Sequence, residues 1–375
     1  MNRNRLVYIV NVDWFFISHR LPLACAALED GWDVWIFTTD TGRVDELASR
    51  GFHIRKIPLG RAMQNPFLEL YCFLSIFWGL LTLRPAVVHC VAFKAVVFGG
   101  LAARLCRIPR MILAVTGFGS TFLTTTWKTR LWRKAVFSLM QFICASPGAK
   151  VILQNRDDVA EFISAQIATP AQIALIRGSG VDIDEFIFSP EPDMAGGFVC
   201  TLPARLLRDK GIYEFVEAAK ILRASGKIPG LKMVLAGGID PHNRSSISGD
   251  ELDEWVGSGL IEWIDHQKDM VRVYHQCHVV VLPSYREGLP KVLIEAGACG
   301  RVSVTTDVPG CREIISHGVN GLIVPAKDGS SIAQAIETLF SDAPFRLQMG
   351  RRAREMVVDG YDIRQVISKT LSLYR

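Results

Sequence analysis

The chain has 375 residues, 49% of them hydrophobic and 21% charged, enough to bury two cores, so two domains are expected. Its nine cysteines form no Cys-x-x-Cys pair, which argues against a disulfide framework or a zinc site and fits a reducing compartment. The net charge of +5 hides an asymmetry: Leu70 to Arg156, 87 residues, contain no Asp or Glu against eleven Lys or Arg, leaving 31 basic and 37 acidic residues elsewhere.

The opening "MNRNRLVYIVNVDWFFIS" has the outline of a signal peptide. Asn11 and Asp13 interrupt its apolar run and no small-residue cleavage site follows, so it reads as a first core strand, Leu6 to Val10. The chain then runs loop ("DWFFISHR"), helix, Gly31 as the stop, and a second strand. "FLELYCFLSIFWGLLTL", Phe67 to Leu83, contains Glu69 and falls short of the ~20 apolar residues a spanning helix needs. It predicts a buried or interfacial helix. The acid-free block points to an anionic partner. Within it, Trp127, Lys128, Arg130, Trp132, Arg133 and Lys134 precede an apolar run, the composition of a helix lying on an anionic membrane surface. An ordinary surface helix with a basic face has the same composition. No RNA-binding motif accompanies the block, so nucleic acid is not the expected partner.

"FIFSPEPDMAGG", Phe186 to Gly197, rich in Pro, Gly and Asp, reads as the junction between halves. From Gly197 the strand–loop–helix–strand train starts again. The fold class is therefore α/β, two doubly wound, Rossmann-like parallel sheets facing an interdomain cleft, with ligands at the carboxyl ends of the strands. No Gly-x-Gly-x-x-Gly follows either first strand, which counts against a nicotinamide or flavin enzyme. The first loop of the second half, "PARLLRDKG", presents Arg205 and Lys210, a guanidinium fork and a point charge suited to neutralising a departing diphosphate. His275, Cys277 and His278 fall at a helix-to-strand junction and are not read as a metal site.

"HVVVLPS" predicts a buried strand, and "REGLPKVLIEAGACG" a loop and then a helix opening at Pro290 and stopping near Gly300. Glu287 lies before that helix and Glu295 about five residues into it, roughly 7–8 Å along the axis. Neither carboxylate has an evident ion-pair partner nearby in sequence. Between them lie the free N–H groups of a helix start, an anion site. Carboxylate, phosphate site, carboxylate matches the order of a nucleotide-sugar: sugar hydroxyls, diphosphate, ribose hydroxyls. A solvated loop glutamate followed by one on an exposed helix face would be spaced the same way.

"PARLLRDKG", "PSYREGLPKVLIEAGACG" and "TDVPGCREII" together resemble the donor half of retaining glycosyltransferase family 4, of the GT-B fold. "FFISHRLPLACAALEDGWDV", "HCVAFKAVVFGGLAARL", "TGFGSTF" and "GSGVDIDEF" extend the resemblance over the whole chain, to the branch that builds capsule and lipopolysaccharide O-chains. The resemblance implies that Arg205 and Lys210 bind the donor phosphates, Glu287 the transferred sugar and Glu295 the ribose. It implies that Gly288, Leu289 and Pro290 border the sugar and phosphates, and that Gly178, Ser179 and Gly180 line the cleft. His19, His89 and Lys94 are further cleft candidates, with a core or helix-capping histidine as the alternative reading of His19 and of His89. Many relatives carry a histidine at the position of Val91, a departure from the pattern.

Residues 1–190 are accordingly expected to form an acceptor- and membrane-facing domain and 191–352 the nucleotide-sugar donor domain, with 353–375 a helix crossing back. The expected activity transfers a sugar, with retention, from a UDP-hexose or UDP-N-acetylhexosamine to a polyprenyl-diphosphate-linked saccharide. The enzyme would sit peripherally on the cytoplasmic face of the inner membrane, needing no cofactor and no metal. The formal Asp-x-Asp match, Asp182 and Asp184, reads as part of a loop. Rival readings are a nucleotide-sugar epimerase on the same fold and a non-catalytic nucleotide-sugar-binding protein.

Overall fold

The computed structural model describes residues 4–60, 65–116, 127–241, 243 and 245–375, without the side chains of residues 127–129. Most of "TGFGSTF", and the side chains of Trp127 and Lys128, thus lie outside the described residues. The chain forms two compact units, 1–179 with 366–375 and 180–365.

In the first unit the order is β1 (Arg5–Val12), α1 (Asp13–Glu29), β2 (Asp33–Thr39), α2 (Val44–Ser49), β3 (His53–Lys56), α3 (Pro66–Leu83) and β4 (Val87–Val91). Then come α4 (Phe93–Leu105), β5 (Arg110–Ala114), α5 (Trp127–Cys144), β6 (Ala149–Leu153), α6 (Arg156–Ser164) and β7 (Ile173–Leu175). The seven strands are parallel, ordered β3-β2-β1-β4-β5-β6-β7. Side chains alternate along a strand, so Val7 and Ile9 join one core with α3, α4 and α5, while Leu6, Tyr8 and Val10 join another with α1. Burial on both faces is why β1 reads as an unbroken apolar run.

The second unit contains β8 (Val199–Pro203), α7 (Ile212–Ser225), β9 (Lys232–Ala236), α8 (Gly249–Gly257), β10 (Glu262–Ile264), α9 (Met270–His275) and β11 (Val279–Leu282). It continues with α10 (Lys291–Ala298), β12 (Val302–Thr306), α11 (Pro309–Ile314), β13 (Gly321–Val324), α12 (Gly329–Ser341) and α13 (Ala343–Gly360). Its six strands are also parallel, ordered β10-β9-β8-β11-β12-β13. α14 (Ile363–Ser372) carries the chain back to the first unit.

Three features differ from the expectations. The unit boundary falls at Ser179–Gly180, ahead of the Pro- and Gly-rich stretch, because Val181 and Phe186 are core residues of the second unit. Arginines there hold the segment: Arg301 donates to the carbonyls of Ser189 and Pro190, Arg346 pairs with Glu191 at 3.0 Å, and Arg354 donates to the carbonyl of Phe186. The return falls at residue 366 and not 353, since Ala353 and Val357 pack against Gly297 of α10. Finally, "DWFFISHR" is no loop but the first two turns of α1. Buried Asp13 accepts hydrogen bonds from the backbone N–H groups of Thr41 and Arg43, at 2.8 and 3.0 Å, a long-range tie that local pattern does not show. Burial alone would raise its pKa, but a hydrogen bond from the Thr41 hydroxyl, together with these backbone bonds, outweighs burial and holds it below the ordinary carboxylate value.

The returning segment is locked by Tyr374, which is fully buried. Its hydroxyl lies 2.9 Å from that of Tyr8 and 2.6 Å from His89 Nδ1, and Arg110 donates to its carbonyl. Tyr374→Phe should lower the unfolding free energy by about 1–3 kcal/mol, because it strands two buried polar groups. Chemical denaturation reads this, and an unchanged midpoint would show that the hydroxyl contributes nothing.

Candidate active site

In the second unit β8 and β11 are neighbours, and from them the strand order runs outward in opposite directions. Loops leaving the carboxyl ends of two such strands diverge and leave a crevice, the usual ligand position in open α/β sheets. The loop after β8 carries Arg205 and Lys210, and the loop after β11 carries Ser284 to Pro290.

The two loops are fastened together. Tyr285 N–H donates to the Asp209 carbonyl at 2.9 Å, and the Tyr285 hydroxyl donates to Glu214 of α7 at 2.6 Å. Gly211 has φ +77, and a Cβ there would stand 2.2 Å from the Pro283 carbonyl oxygen, so only glycine permits the approach. From the other side, a Cβ on Gly310 would meet the carbonyl oxygens of Gly288 and Glu287 at 2.5 and 2.7 Å. The "TDVPGC" stretch thereby supports the Glu287–Gly288 backbone.

The fastening brings Lys210 Nζ to within 2.5 Å of Glu287 Oε1, and Ser284 Oγ donates to the same oxygen at 2.7 Å. Both members of the pair are mostly shielded, at 22% and 11% side-chain exposure. Arg205 is not brought to Glu287: its guanidinium donates to Asp240 at 2.7 Å and is half-exposed. Pro290 is the N-cap of α10, not its first helical residue, so the helix starts at Lys291 with Gly288 and Leu289 just before it. The N–H groups that open the helix and its positive dipole end are next to Glu287 in the chain.

Glu295 is 6% exposed, which rules out a place on a solvated helix face. Both carboxylates have cationic partners: that of Glu287 is distant in sequence, whereas that of Glu295 is a near neighbour, contrary to the sequence reading. Lys291, one turn earlier on α10, pairs with Glu295 Oε1 at 3.0 Å, and the Tyr274 hydroxyl donates to Oε2 at 2.8 Å. Burial and the Glu295 charge push the Tyr274 phenol well above its ordinary pKa, so it stays a donor. A carboxylate has about four lone-pair positions, so two remain that can accept from a diol. The i,i+4 spacing of Lys291 and Glu295 could have been read from sequence. Tyr274 and Ser284 carried no such signal.

The remaining candidates belong to other elements of the chain. His89 is 1% exposed in β4, hydrogen-bonded to Tyr374. Burial, then the charge of Arg20, drives its pKa well down, so the imidazole is neutral. His19, partly exposed on α1, stacks on Phe15 with its Nδ1 2.6 Å from Ser18 Oγ. Lys94, at the start of α4, pairs with Glu69 at 2.8 Å and donates to the Gly60 carbonyl. Gly178 and Ser179 end the first unit, and Gly180 begins the second, against the backbone of Ile363. Asp182 accepts from the N–H groups of Asp184 and Glu185 in its own turn, and Asp184 faces Arg364. His278 accepts from Val199 N–H, a structural role at a strand start. On α5, Arg130, Trp132 and Lys134 are exposed, whereas Arg133 is paired with Glu161.

Known proteins resemble this chain in sequence and in fold. Residues 5–155 match the family model of glycosyl transferase 4-like domains, and residues 184–356 that of glycosyl transferases group 1. An N,N'-diacetylbacillosaminyl-diphospho-undecaprenol alpha-1,3-N-acetylgalactosaminyltransferase of Campylobacter jejuni is 28% identical, over 96% of this chain and 97% of its own. A UDP-Gal:alpha-D-GlcNAc-diphosphoundecaprenol alpha-1,3-galactosyltransferase of Escherichia coli is 24% identical, over 82% of this chain and 79% of its own. Among solved structures, a sucrose-phosphate synthase of Thermosynechococcus elongatus superposes with a TM-score of 0.78 at 18% identity, covering 100% of this chain and 98% of its own. HepE of Anabaena, solved with UDP and glucose, gives 0.77 at 17% identity, covering 99% and 100%.

Proposed function

The chain belongs to the family 4 glycosyltransferases of the GT-B fold, and on that premise we propose that it moves a hexose or N-acetylhexosamine, with retention, from a UDP-sugar to a polyprenyl-diphosphate-linked saccharide in capsule or O-chain synthesis. The observation that carries the reading is the Lys210–Glu287 contact at the strand-order reversal, beside the start of α10. A diphosphate there meets an ammonium, helix N–H groups and, after Arg205 leaves Asp240, a guanidinium fork. Glu287 addresses the sugar and Glu295 the ribose. The acceptor comes by analogy from the relatives, whose names carry undecaprenol-diphosphate.

As the glycosidic bond breaks, negative charge grows on the diphosphate and positive charge on the anomeric carbon. Lys210 and Glu287 then bear opposite charges on the two sides of the breaking bond. The acceptor hydroxyl attacks from the face the diphosphate leaves, its oxygen bonding the anomeric carbon as the bond to the diphosphate breaks and its proton passing to the departing diphosphate oxygen, so no nucleophilic carboxylate is required.

The direct test incubates the protein with single UDP-sugars and a polyprenyl-diphosphate acceptor, with the product's anomeric configuration read by NMR. Retained configuration is expected, and inversion sinks the mechanism. A nucleotide panel gives an independent check: UDP at 100 times its Kd should stabilise the protein by about 2.7 kcal/mol. No melting-temperature rise with any nucleoside diphosphate would sink the donor assignment. On the membrane side, replacing Lys128, Arg130, Arg133 and Lys134 with Ser should weaken binding to anionic vesicles, each basic residue being worth about 1 kcal/mol. Arg133, already paired with Glu161, should matter least.

A further inference from the structure

Helix α3 has two opposite faces. Cys72, Ile76, Gly79 and Leu80 are buried in the first unit's core, where a Cβ on Gly79 would meet the Phe37 ring at 2.6 Å. On the other side, Phe67, Leu70, Tyr71, Leu74 and Trp78 recur at helical spacing and are between 40 and 82% exposed. A lone exposed apolar residue is ordinary, but five on one stripe are not. The helix's only charged residue, Glu69, does not face this stripe: it is 12% exposed and paired with Lys94.

Alone among the described helices, α3 is long and apolar enough to cross a membrane. Its buried face keeps it on the protein surface. α3 packs on α4 and α4 on α5, so the stripe belongs to the same helical layer as exposed Arg130 and Lys134, in a stretch without acidic residues from Leu70 to Arg156.

We propose that α3 is the element that enters the lipid, lying in the plane of an anionic bilayer with its stripe among the acyl chains. The neighbouring basic residues would then engage the headgroups. This rests on the lipid-linked acceptor proposed above, and it moves the apolar anchor from the Trp127 region to α3. The charge pattern selects the occupant. A second copy docked stripe to stripe would set two basic layers against each other, whereas an anionic lipid surface complements them.

The test compares co-sedimentation of the full chain and a Phe67→Ser, Leu70→Ser, Trp78→Ser variant with two kinds of vesicle, phosphatidylcholine alone and phosphatidylcholine with phosphatidylglycerol. The substituted positions are solvent-exposed, so the variant's melting temperature and its turnover on a water-soluble acceptor should match the wild type. Vesicle binding should fall roughly tenfold or more on both compositions. Wild-type binding that the variant retains in full would overturn the role of α3 while leaving a membrane-bound enzyme. A wild type that binds neither vesicle would overturn both. A solution dimer that dissociates in the variant would give the stripe to a second copy and overturn the proposal.

Discussion

Lys210→Ala should lower turnover by about 10² to 10³, because on the proposed assignment it deletes a positioned cation from the charge that develops on the leaving diphosphate. Lys210 is held in place before substrate arrives, by Glu287 at 2.5 Å and by a loop fastened to Tyr285. A preorganised charge stabilises the transition state without reorganising during the reaction. Arg205 starts from a different position, half-exposed on Asp240, and must give up that contact to reach a phosphate. Arg205→Ala should therefore cost less than Lys210→Ala. Lys210→Arg should not restore full activity, since a planar fork cannot reproduce a point charge between Glu287 and a phosphate. The same reasoning predicts that EDTA leaves the wild type nearly unchanged. Activity abolished by EDTA and restored by manganese would move the assignment to Asp182 and Asp184.

What could be read from sequence was what is local. β1 and β11 read as strands because parallel strands buried on both faces are unbroken apolar runs. Glu287 stood out because glycine and proline punctuate the helix start beside it. The Lys291–Glu295 pair is equally local, one helical turn apart. Other features depend on residues far apart in sequence. His89 reads from sequence as either a cleft or a core histidine, and the partner that holds its Nδ1, Tyr374, lies 285 residues later. Asp13 looked like loop sequence because the N–H groups it satisfies belong to residues 41 and 43. Tyr274 lies 21 residues before Glu295, with a strand between them, and no spacing rule links the two. In α3 the apolar run was visible, but which stripe the core covers depends on α4 and the sheet beneath.

Glu287→Gln and Glu295→Gln should differ in kind. Glu295 sits deep, with Tyr274 and Lys291 occupying part of its acceptor capacity, and its remaining lone pairs are assigned to the ribose. Losing one charged hydrogen bond costs roughly 1.5–3 kcal/mol, so Glu295→Gln should weaken UDP binding by about 10- to 100-fold in titration calorimetry. Tyr274→Phe should weaken it less, because the phenol orients the carboxylate without touching the nucleotide. On the proposed assignment Glu287 addresses the transferred sugar, which UDP lacks, so Glu287→Gln should leave UDP affinity nearly unchanged. Its effect should fall on turnover with the intact UDP-sugar, where the neutral amide no longer offsets the positive charge growing at the anomeric carbon. It also removes the counter-charge of Lys210, which becomes freer to hold UDP, so a modest gain in UDP affinity agrees with the assignment. Equal losses of UDP affinity in the two variants would refute it, since they would place both carboxylates on the nucleotide and none on the reacting sugar.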